Sequence, residues 1–291
     1  MLVNMRDILA DARKNKYAIG CINTTTVDIL RAVVAAAEEL NTPLIIDHAQ
    51  VHNSLIPLEY IAPRMIECAK KASVPICVHL DHGKDYNFIM QAIRQGFTSI
   101  MYDCSSLSFE ENAANLKDFT KLAHDLDITV EAELGVMIST ENDSHSEDTV
   151  LTNADIRKYF TDPDEAGKFV EITGVDALAV CFGTMHGIYA EDPVLDIELL
   201  RAIKSKIGDT SIVMHGGSGV DMDQIKAAIT EGCSKINYYS YMAKSASESA
   251  KRILDASDKP VIYHELTEQV VVEINAYAKN ILHAFRNGYQ G

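Results

Sequence analysis

The 291-residue chain lacks the features of several common protein classes. Its six cysteines are scattered singly and none belongs to a Cys-x-x-Cys pair, so the spacing predicts no disulfide framework. Most of these cysteines lie in apolar runs, where a thiol behaves as a small core residue. We therefore expect reduced, buried thiols in a cytoplasmic protein.

Long apolar segments are also missing. No apolar run reaches the roughly 18 residues needed to span a bilayer. The first residues do not combine a basic stretch with an apolar one, so we expect no signal peptide. The sequence therefore predicts no membrane partner.

An excess of basic residues is missing as well, since the formal net charge is −16. Such a chain is not expected to bind nucleic acid, which needs a basic patch. A phosphorylated substrate remains compatible, because a local site can be positive, metal-bound or formed by backbone N–H groups.

What the chain does contain is a regular alternation of short apolar runs with longer amphipathic segments. The apolar runs predict strands and the amphipathic segments predict helices. Strands are predicted at 17–22, 43–47, 74–80, 98–102, 128–133, 177–182, 211–214 and 234–238. Helices are predicted at 26–40, 57–72, 84–95, 108–126, 162–173, 195–207, 220–231 and 241–257.

Eight β–α repeats without an interrupting linker predict an α/β fold of one domain over 1–291, a (β/α)₈ TIM barrel. The strands are continuous apolar and β-branched runs, as expected when helices cover one face and the barrel interior the other. A doubly wound sheet is the alternative. It would usually carry a glycine-rich loop after the first strand, but residues 21–26 contain no glycine.

Two segments depart from the repeat. Residues 135–160 are polar and long for a connection between a strand and a helix, which is typical of a mobile functional lid or of disorder. A further helical pattern near 262–289 follows the eighth repeat. We expect an additional C-terminal helix that docks on the barrel or contacts a second copy of the chain.

Polar groups follow every predicted strand, at the positions where a TIM barrel carries its active site. One or two such groups would carry little information, but a full set of eight predicts a site. The positions hold Asn23, Asp47-His48, Asp81-His82, Asp103, Glu133, His186, His215 and Asn237.

Three of these groups, His82, His186 and His215, are delivered by three separate strands. Three imidazoles that leave one coordination position open are the ligand set of a catalytic zinc ion. His79 lies two residues before Asp81 on the same strand, so both side chains point to the same side, and we interpret His79 as a residue of the barrel interior.

Carboxylates accompany the histidines. Asp81 adjoins a predicted ligand and is expected to orient it or to act as a general acid or base. Asp103 and Glu133 end the next two strands and could bind a second metal ion, or the same ion in another position. Glu131 shares the strand face of Glu133 and is interpreted as structural.

Two stretches predict an anion site. Residues 215–219 (His-Gly-Gly-Ser-Gly) and 235–240 (Lys-Ile-Asn-Tyr-Tyr-Ser) each precede a predicted helix, so backbone N–H groups and helix N-termini are available there. They follow strands seven and eight, where TIM barrels commonly bind phosphate.

Five motifs in this order resemble the class II, zinc-dependent ketose-bisphosphate aldolases, and the resemblance covers nearly the whole chain. The motifs are HLDHG at 79–83, GFTSIMYD at 96–103, VEAELG at 130–135, GTMHGIY at 183–189 and HGGSG at 215–219. The resemblance implies a TIM barrel and the reversible cleavage of a ketose 1,6-bisphosphate, such as fructose or tagatose bisphosphate. The products are dihydroxyacetone phosphate and an aldehyde such as glyceraldehyde 3-phosphate.

The same resemblance assigns roles to residues. It implies that His82, His186 and His215 bind the catalytic Zn²⁺, and that Asp103 and Glu133 match a second or displaced metal position. Asp81 matches the group that handles the C4 hydroxyl proton, and Glu141 the acidic residue that exchanges a proton at the nucleophilic carbon. Substrate and phosphate positions are matched by Asn23, Gly187, Gly216, Ser218, Asn237 and Ser240. The resemblance also implies a monovalent cation, Na⁺ or K⁺, near the phosphate and a homodimer or homotetramer.

The chain departs from the family pattern in three places. Ile138-Ser139 replaces a glycine pair, bulky Tyr239 and Tyr241 flank Ser240, and Ala190 stands where many fructose-specific members have lysine. The sugar is therefore left open among fructose, tagatose and other phosphorylated ketoses.

Two other functions remain as alternatives. A zinc-dependent barrel hydrolase would carry a His-x-His pair on the first strand, and Asn23-Thr24-Thr25 offers none. A non-catalytic subunit should have lost Asp81 or a zinc histidine, and all four residues are present.

Overall fold

Eight parallel strands form a closed barrel in the computed structural model, which describes residues 1–135, 152–189 and 191–290. Each strand pairs with the next along the chain, and the last pairs with the first. The strands are β1 (Ile19–Asn23), β2 (Leu44–Ala49), β3 (Ile76–Gly83), β4 (Ser99–Tyr102), β5 (Thr129–Leu134), β6 (Ala177–Val180), β7 (Ser211–Met214) and β8 (Cys233–Tyr238). The predicted TIM barrel is confirmed.

Helices follow the strands and cover the outside of the barrel. They are α1 (Met5–Asn15), α2 (Val27–Glu39), α3 (Leu58–Lys71), α4 (Tyr86–Gln95), α5 (Phe109–Asp125), α6 (Asn153–Ile156), α7 (Pro163–Thr173), α8 (Ile197–Lys206), α9 (Met222–Thr230), α10 (Ser240–Asp255) and α11 (Tyr263–Phe285). Short 3₁₀ turns cover Gln50–Ser54 and Arg157–Tyr159. All eight predicted helices of the repeat are present, whereas α1 and α6 were not predicted.

Local signals explain where the helices begin and end. Ser108 and Glu111 form a reciprocal capping box at the start of α5, which satisfies two backbone N–H groups. Asp162 caps α7 and is followed by Pro163, whose fixed φ suits the first helical position. Gly96 ends α4 with a φ of +97°, a conformation that a residue with a Cβ rarely adopts.

α1 closes the N-terminal end of the barrel. Its apolar residues Met5, Leu9 and Ala12 are fully buried and belong to one cluster with the interior residues Ile45 and Val213. Burial of this helix face removes apolar surface from water and seals one end of the interior. The barrel is therefore open only at the carboxyl ends of its strands, within the described residues.

β3 contains a bulge just before its end. Leu80 pairs with Ile100 and Gly83 pairs with Tyr102, so two residues of β3 oppose the single residue Met101 of β4. His82, inside the bulge, has a φ of +45°. Side chains of adjacent strand residues normally point to opposite faces, and a bulge redirects them. Asp81 and His82 can therefore both line the barrel mouth.

The predicted C-terminal helix is α11, which packs on α2 and α10. Its residues Leu282 and Phe285 lie over β1, where a Cβ on Gly20 would come within 2.7 Å of a Leu282 methyl group. Glycine at position 20 therefore permits this close approach. The helix docks on the barrel, which was one of the two predicted roles.

The predicted lid at 135–160 lies partly outside the described residues. Within its described part, α6 and the 3₁₀ turn at Arg157–Tyr159 precede α7. None of the described helices is long and apolar enough to cross a membrane.

Candidate active site

A cavity of about 520 Å³ opens at the carboxyl ends of the strands, where the sequence predicted the site. Eleven of the predicted site residues line it, and His215 lies fully buried beside them. The lining residues from the prediction are Asn23, Asp81, His82, Asp103, Glu133, His186, Gly187, Gly216, Ser218, Asn237 and Ser240.

The three predicted zinc histidines come together. One ring nitrogen of each lies within 4.8 Å of a ring nitrogen of the other two. The ring centroids of His82 and His215 are 4.7 Å apart, those of His82 and His186 are 4.9 Å apart, and those of His186 and His215 are 5.4 Å apart. Such spacing lets three imidazoles share one small cation.

In His82 and His215, one ring nitrogen contacts a carboxylate and the other makes no hydrogen bond with the described residues. His82 Nδ1 lies 2.9 Å from Asp103 Oδ2, and His215 Nε2 lies 3.0 Å from Glu131 Oε1. His82 Nε2 and His215 Nδ1 are buried and have no hydrogen-bond partner among the described residues. Buried ring nitrogens without a partner are costly unless something binds them, so this donor set fits a metal ion.

The electrostatics of the three rings differ. Burial and the charges of His82 and His215 hold the pKa of His186 well below its ordinary value. Burial also disfavours the charged form of His215, but the carboxylates of Glu131 and Glu133 raise its pKa to about 10. In the metal-free protein His215 is therefore protonated, and a metal ion competes with that proton.

Asp81 lies beside the histidine cluster and is almost fully buried. Asn237 Nδ2 lies 3.3 Å from both of its carboxylate oxygens. Burial alone would raise the pKa of Asp81, but the positive charge of His82, the neighbouring ring of His79 and the charge of Lys235 hold it well below its usual range. Asp81 is therefore an ionised group that can accept a proton.

Asp103 and Glu133 lie against the histidines. Asp103 also accepts hydrogen bonds from the backbone N–H and the hydroxyl of Ser105 at 3.1 and 2.6 Å. Glu133 Oε2 lies 3.1 Å from His215 Nδ1. Asp103 is thus arranged to orient His82, and Glu133 is close enough to share a cation with His215.

A charged layer lies inside the barrel below the cluster. Lys235 Nζ is 2.7 Å from Glu131 Oε2, and neither side chain is exposed. Nε2 of the buried His79 lies 3.6 Å from Glu131 Oε2 and 3.7 Å from Asp81 Oδ1. The interpretation of His79 as an interior residue is confirmed, whereas Glu131 contacts a predicted metal ligand.

The predicted anion-binding residues form the opposite side of the cavity. Gly216 has a φ of +62°, and a Cβ there would lie 2.0 Å from the Met185 carbonyl oxygen, so only glycine fits. Ser218 Oγ accepts a hydrogen bond from the Tyr241 backbone N–H at 2.9 Å. Ser240 is the first residue of α10, and Tyr239 makes no capping hydrogen bond there. The N-terminus of a helix favours an anion.

Tyr189 connects the two loops that carry these groups. Its hydroxyl accepts a hydrogen bond from the Met185 N–H at 2.9 Å and donates one to the Gly216 carbonyl oxygen at 2.7 Å. Met185 precedes His186 and Gly216 follows His215, so one side chain holds both segments in a fixed relation.

Several lining residues were not among the predicted site residues. They follow β2, β3, β4 and β8, and that position was the available signal; they are Gln50, Val51, His52, Lys84, Ser105, Ser106 and Tyr239. Tyr239 packs its ring against His52 at a centroid distance of 5.4 Å, and its hydroxyl lies 3.2 Å from Thr25 Oγ1. Glu141, Ile138-Ser139 and Ala190 lie outside the described residues.

Comparisons with known proteins agree with this geometry. Residues 3–287 match the family described as Fructose-bisphosphate aldolase class-II. The uncharacterized protein YdjI of Escherichia coli K12 is 34% identical over 279 residues, which is 96% of each chain. The Fructose-bisphosphate aldolase of Staphylococcus aureus is 33% identical over 263 residues, which is 89% of this chain and 88% of that one.

Solved structures agree as well. The crystal structure of the YdjI aldolase matches with a TM-score of 0.86 at 32% identity and covers 100% of this chain and 99% of that one. A putative fructose-1,6-biphosphate aldolase from Coccidioides immitis matches with a TM-score of 0.83 at 26% identity, over 99% and 97% of the two chains. Taken with the histidine cluster and the barrel around it, these matches mean that the chain belongs to the class-II fructose-bisphosphate aldolase family.

Proposed function

We propose that this protein is a zinc-dependent aldolase that reversibly cleaves a phosphorylated ketose. The substrate is a ketose 1,6-bisphosphate of the fructose or tagatose type, and the products are dihydroxyacetone phosphate and an aldehyde such as glyceraldehyde 3-phosphate. The observation that carries the proposal is the cluster of His82, His186 and His215 beside the ionised Asp81.

The proposed zinc dependence is supported by the ring nitrogens of the histidine cluster, which could bind the ion. His82, His186 and His215 would hold the ion, with Asp103 orienting His82 through its Nδ1. When bound, Zn²⁺ acts as a Lewis acid that polarises the substrate carbonyl and stabilises the negative charge that develops next to it.

The proton-transfer part assigns Asp81 as the general base in the cleavage direction. Its carboxylate takes the proton of the C4 hydroxyl while the C3–C4 bond breaks, and it returns the proton in synthesis. Asn237, 3.3 Å from both oxygens, holds the carboxylate in orientation. Glu141 is proposed to protonate the carbon of the dihydroxyacetone phosphate half.

The anion part assigns the phosphate to the side of the cavity that carries Gly187, Gly216 and Ser218. The start of α10 at Ser240 adds a helix N-terminus, and Asn23 completes the substrate contacts. This arrangement supports binding of an anion by a strongly acidic chain, because its donors are backbone N–H and hydroxyl groups. A monovalent cation near the phosphate, a second metal at Asp103 and Glu133, and a homo-oligomer remain predictions.

A substrate panel tests the function. Release of dihydroxyacetone phosphate would be measured from fructose, tagatose and related phosphorylated ketoses, before and after removal of metal with a chelator. We expect cleavage of at least one ketose phosphate, loss of activity on chelation and recovery with Zn²⁺. Turnover that survives complete metal removal, or no turnover of any member of the panel by the zinc-loaded protein, would contradict the proposal.

A further inference from the structure

The barrel interior holds a buried ion pair that the proposed reaction does not use. Lys235 Nζ lies 2.7 Å from Glu131 Oε2 and 2.9 Å from Oε1, and both side chains are fully buried. Such a pair does not by itself make a core more stable than apolar residues of similar volume, because both charges lose their hydration. Its contacts with the histidine cluster indicate another role.

Glu131 is in direct contact with a predicted metal ligand. Its Oε1 lies 3.0 Å from His215 Nε2, and His215 is fully buried. An imidazole that donates Nε2–H to a carboxylate keeps the lone pair on Nδ1. His215 Nδ1 meets no hydrogen-bond geometry with the described residues, and its neighbour is Glu133 Oε2 at 3.1 Å, a carboxylate oxygen that can share a cation with it. The contact therefore selects Nδ1 as the nitrogen available to a metal.

Lys235 fixes the carboxylate that makes this selection. Its ammonium group contacts both oxygens of Glu131, which sets the plane of the carboxylate and balances its charge. A register shift in β8 contributes, since Ile212 pairs with Cys233 while the next residue, Val213, pairs with Lys235. The extra residue at 234 turns Lys235 toward the interior.

A second metal site in this layer is disfavoured. His79, Asp81 and Glu131 lie close enough together to hold an ion, but the Lys235 ammonium already occupies the position beside Glu131. A cation bound there would have to share that carboxylate with another positive charge at close range. The layer is therefore better suited to orienting His215 than to binding an ion of its own.

We propose that Glu131, held by Lys235, is a positioning residue that fixes the tautomer and orientation of His215 so that Nδ1 faces a metal ion. The proposal rests on the metal-dependent function proposed above. Among the described residues it gives His215 the same kind of support that Asp103 gives His82.

One experiment needs no substitution. The zinc-loaded protein is labelled with ¹⁵N-histidine, and the ring nitrogens are assigned with single histidine variants. We expect His215 to bind Zn²⁺ through Nδ1 and to keep a slowly exchanging Nε2–H. Ligation through Nε2, or an Nε2–H that exchanges as fast as an exposed one, would overturn the proposal.

A second experiment measures Zn²⁺ affinity by competition with a chelating dye. The double variant Lys235→Met/Glu131→Met removes both charges together and is expected to fold, because buried ion pairs tolerate apolar replacement. We expect its affinity to fall about 10- to 100-fold, as for other groups that support a ligand. The control Ser99→Ala removes a buried contact with His79 in the same layer and should stay within about twofold.

The variant Lys235→Met tests the lysine alone. It should lose Zn²⁺ affinity as well, and circular dichroism reports whether it folds; if it does not, the double variant and the ¹⁵N measurement decide. Affinity in the folded double variant equal to that of Ser99→Ala would refute the positioning role. If the ¹⁵N spectra and the Zn²⁺ affinities give the expected results but no phosphorylated ketose is cleaved, only the aldolase function is refuted.

Discussion

Single carboxylates determine what each imidazole of the site can do. Asp103 takes Nδ1 of His82 and Glu131 takes Nε2 of His215, so opposite nitrogens of the two rings are left over. Asp81 has a different partner, the amide of Asn237, which donates hydrogen bonds and leaves the carboxylate charge in place. Carboxylates with different neighbours are thus proposed to play different roles: Asp103 and Glu131 orient histidines, and Asp81 acts as the base.

The variant Asp81→Asn tests the proposed role of Asp81 as the general base. The amide keeps the size of the side chain but cannot accept the C4 hydroxyl proton, so we expect kcat to fall about 10²- to 10⁴-fold. Metal content, measured by elemental analysis, should stay at the wild-type level. The control is Asp127→Asn, whose exposed side chain lies just before the amino end of β5. Loss of metal in Asp81→Asn would mean that Asp81 supports the ion instead.

His48 provides a test of pH dependence. Its buried ring has no hydrogen-bond partner in the described structure, and burial, together with the charge of His52, lowers its pKa from 6.5 to about 4. The unfolded chain then binds a proton below pH 6.5 that the folded chain does not, so stability is lost as the pH falls from 6.5 toward 4. The loss is on the order of 3 kcal/mol.

The measurement compares urea unfolding of metal-free wild type with His48→Leu at several pH values. The leucine variant lacks this titration and should lose less stability between pH 6.5 and 4. Parallel pH profiles for the two proteins would show that His48 does not stay neutral in the folded state.

The individual site residues could be predicted because each follows a strand of the repeat. Their partners could not, since Glu131 reaches His215 across 84 residues of chain and Lys235 across 104. Such contacts depend on the register of strands around the closed barrel, which no local pattern contains. Glu131 was accordingly interpreted as structural, although it touches a predicted ligand.

Among the secondary-structure elements, the β-bulge in β3 determines which side chains reach the cavity. Alternation along β3 predicts that Asp81 and His82 point to opposite faces, and the bulge between Leu80 and Gly83 brings both to the cavity. The bulge itself has no signature in the sequence. α1 differs, because Met5, Ile8, Leu9 and Ala12 have helical spacing, but this helix precedes the repeat and was not predicted.

Tyr189→Phe tests the connection between the loops after β6 and β7. Removal of the hydroxyl leaves the Met185 N–H and the Gly216 carbonyl oxygen without their shared partner, which costs about 1–3 kcal/mol of stability. We expect a lower urea midpoint and a higher KM for the phosphorylated substrate. The exposed Tyr263→Phe is the matched control, and equal KM values for the two variants would remove this role from Tyr189.

At the scale of the whole molecule, the architecture could be predicted almost completely. The eight predicted strands and eight predicted helices form the closed barrel. Few other folds can bury parallel strands on both faces when each strand is followed by a helix. In the part of the chain that the structure describes, α1 closes one end of the barrel and the cavity opens at the other. The overall charge of −16 is compatible with the proposed anionic substrate because one side of the cavity, at Gly187, Gly216 and Ser218, offers backbone N–H and hydroxyl groups.

The two loops that carry His186 and His215 have one more property: in each, the residue after the histidine is a predicted phosphate contact, Gly187 or Gly216. A cation and an anion would thus bind to adjacent residues of the same two segments. The two binding equilibria should then be thermodynamically linked, and linkage is reciprocal. Inorganic phosphate should strengthen Zn²⁺ binding by the same factor by which Zn²⁺ strengthens phosphate binding, and calorimetric titrations in both orders would measure the two factors.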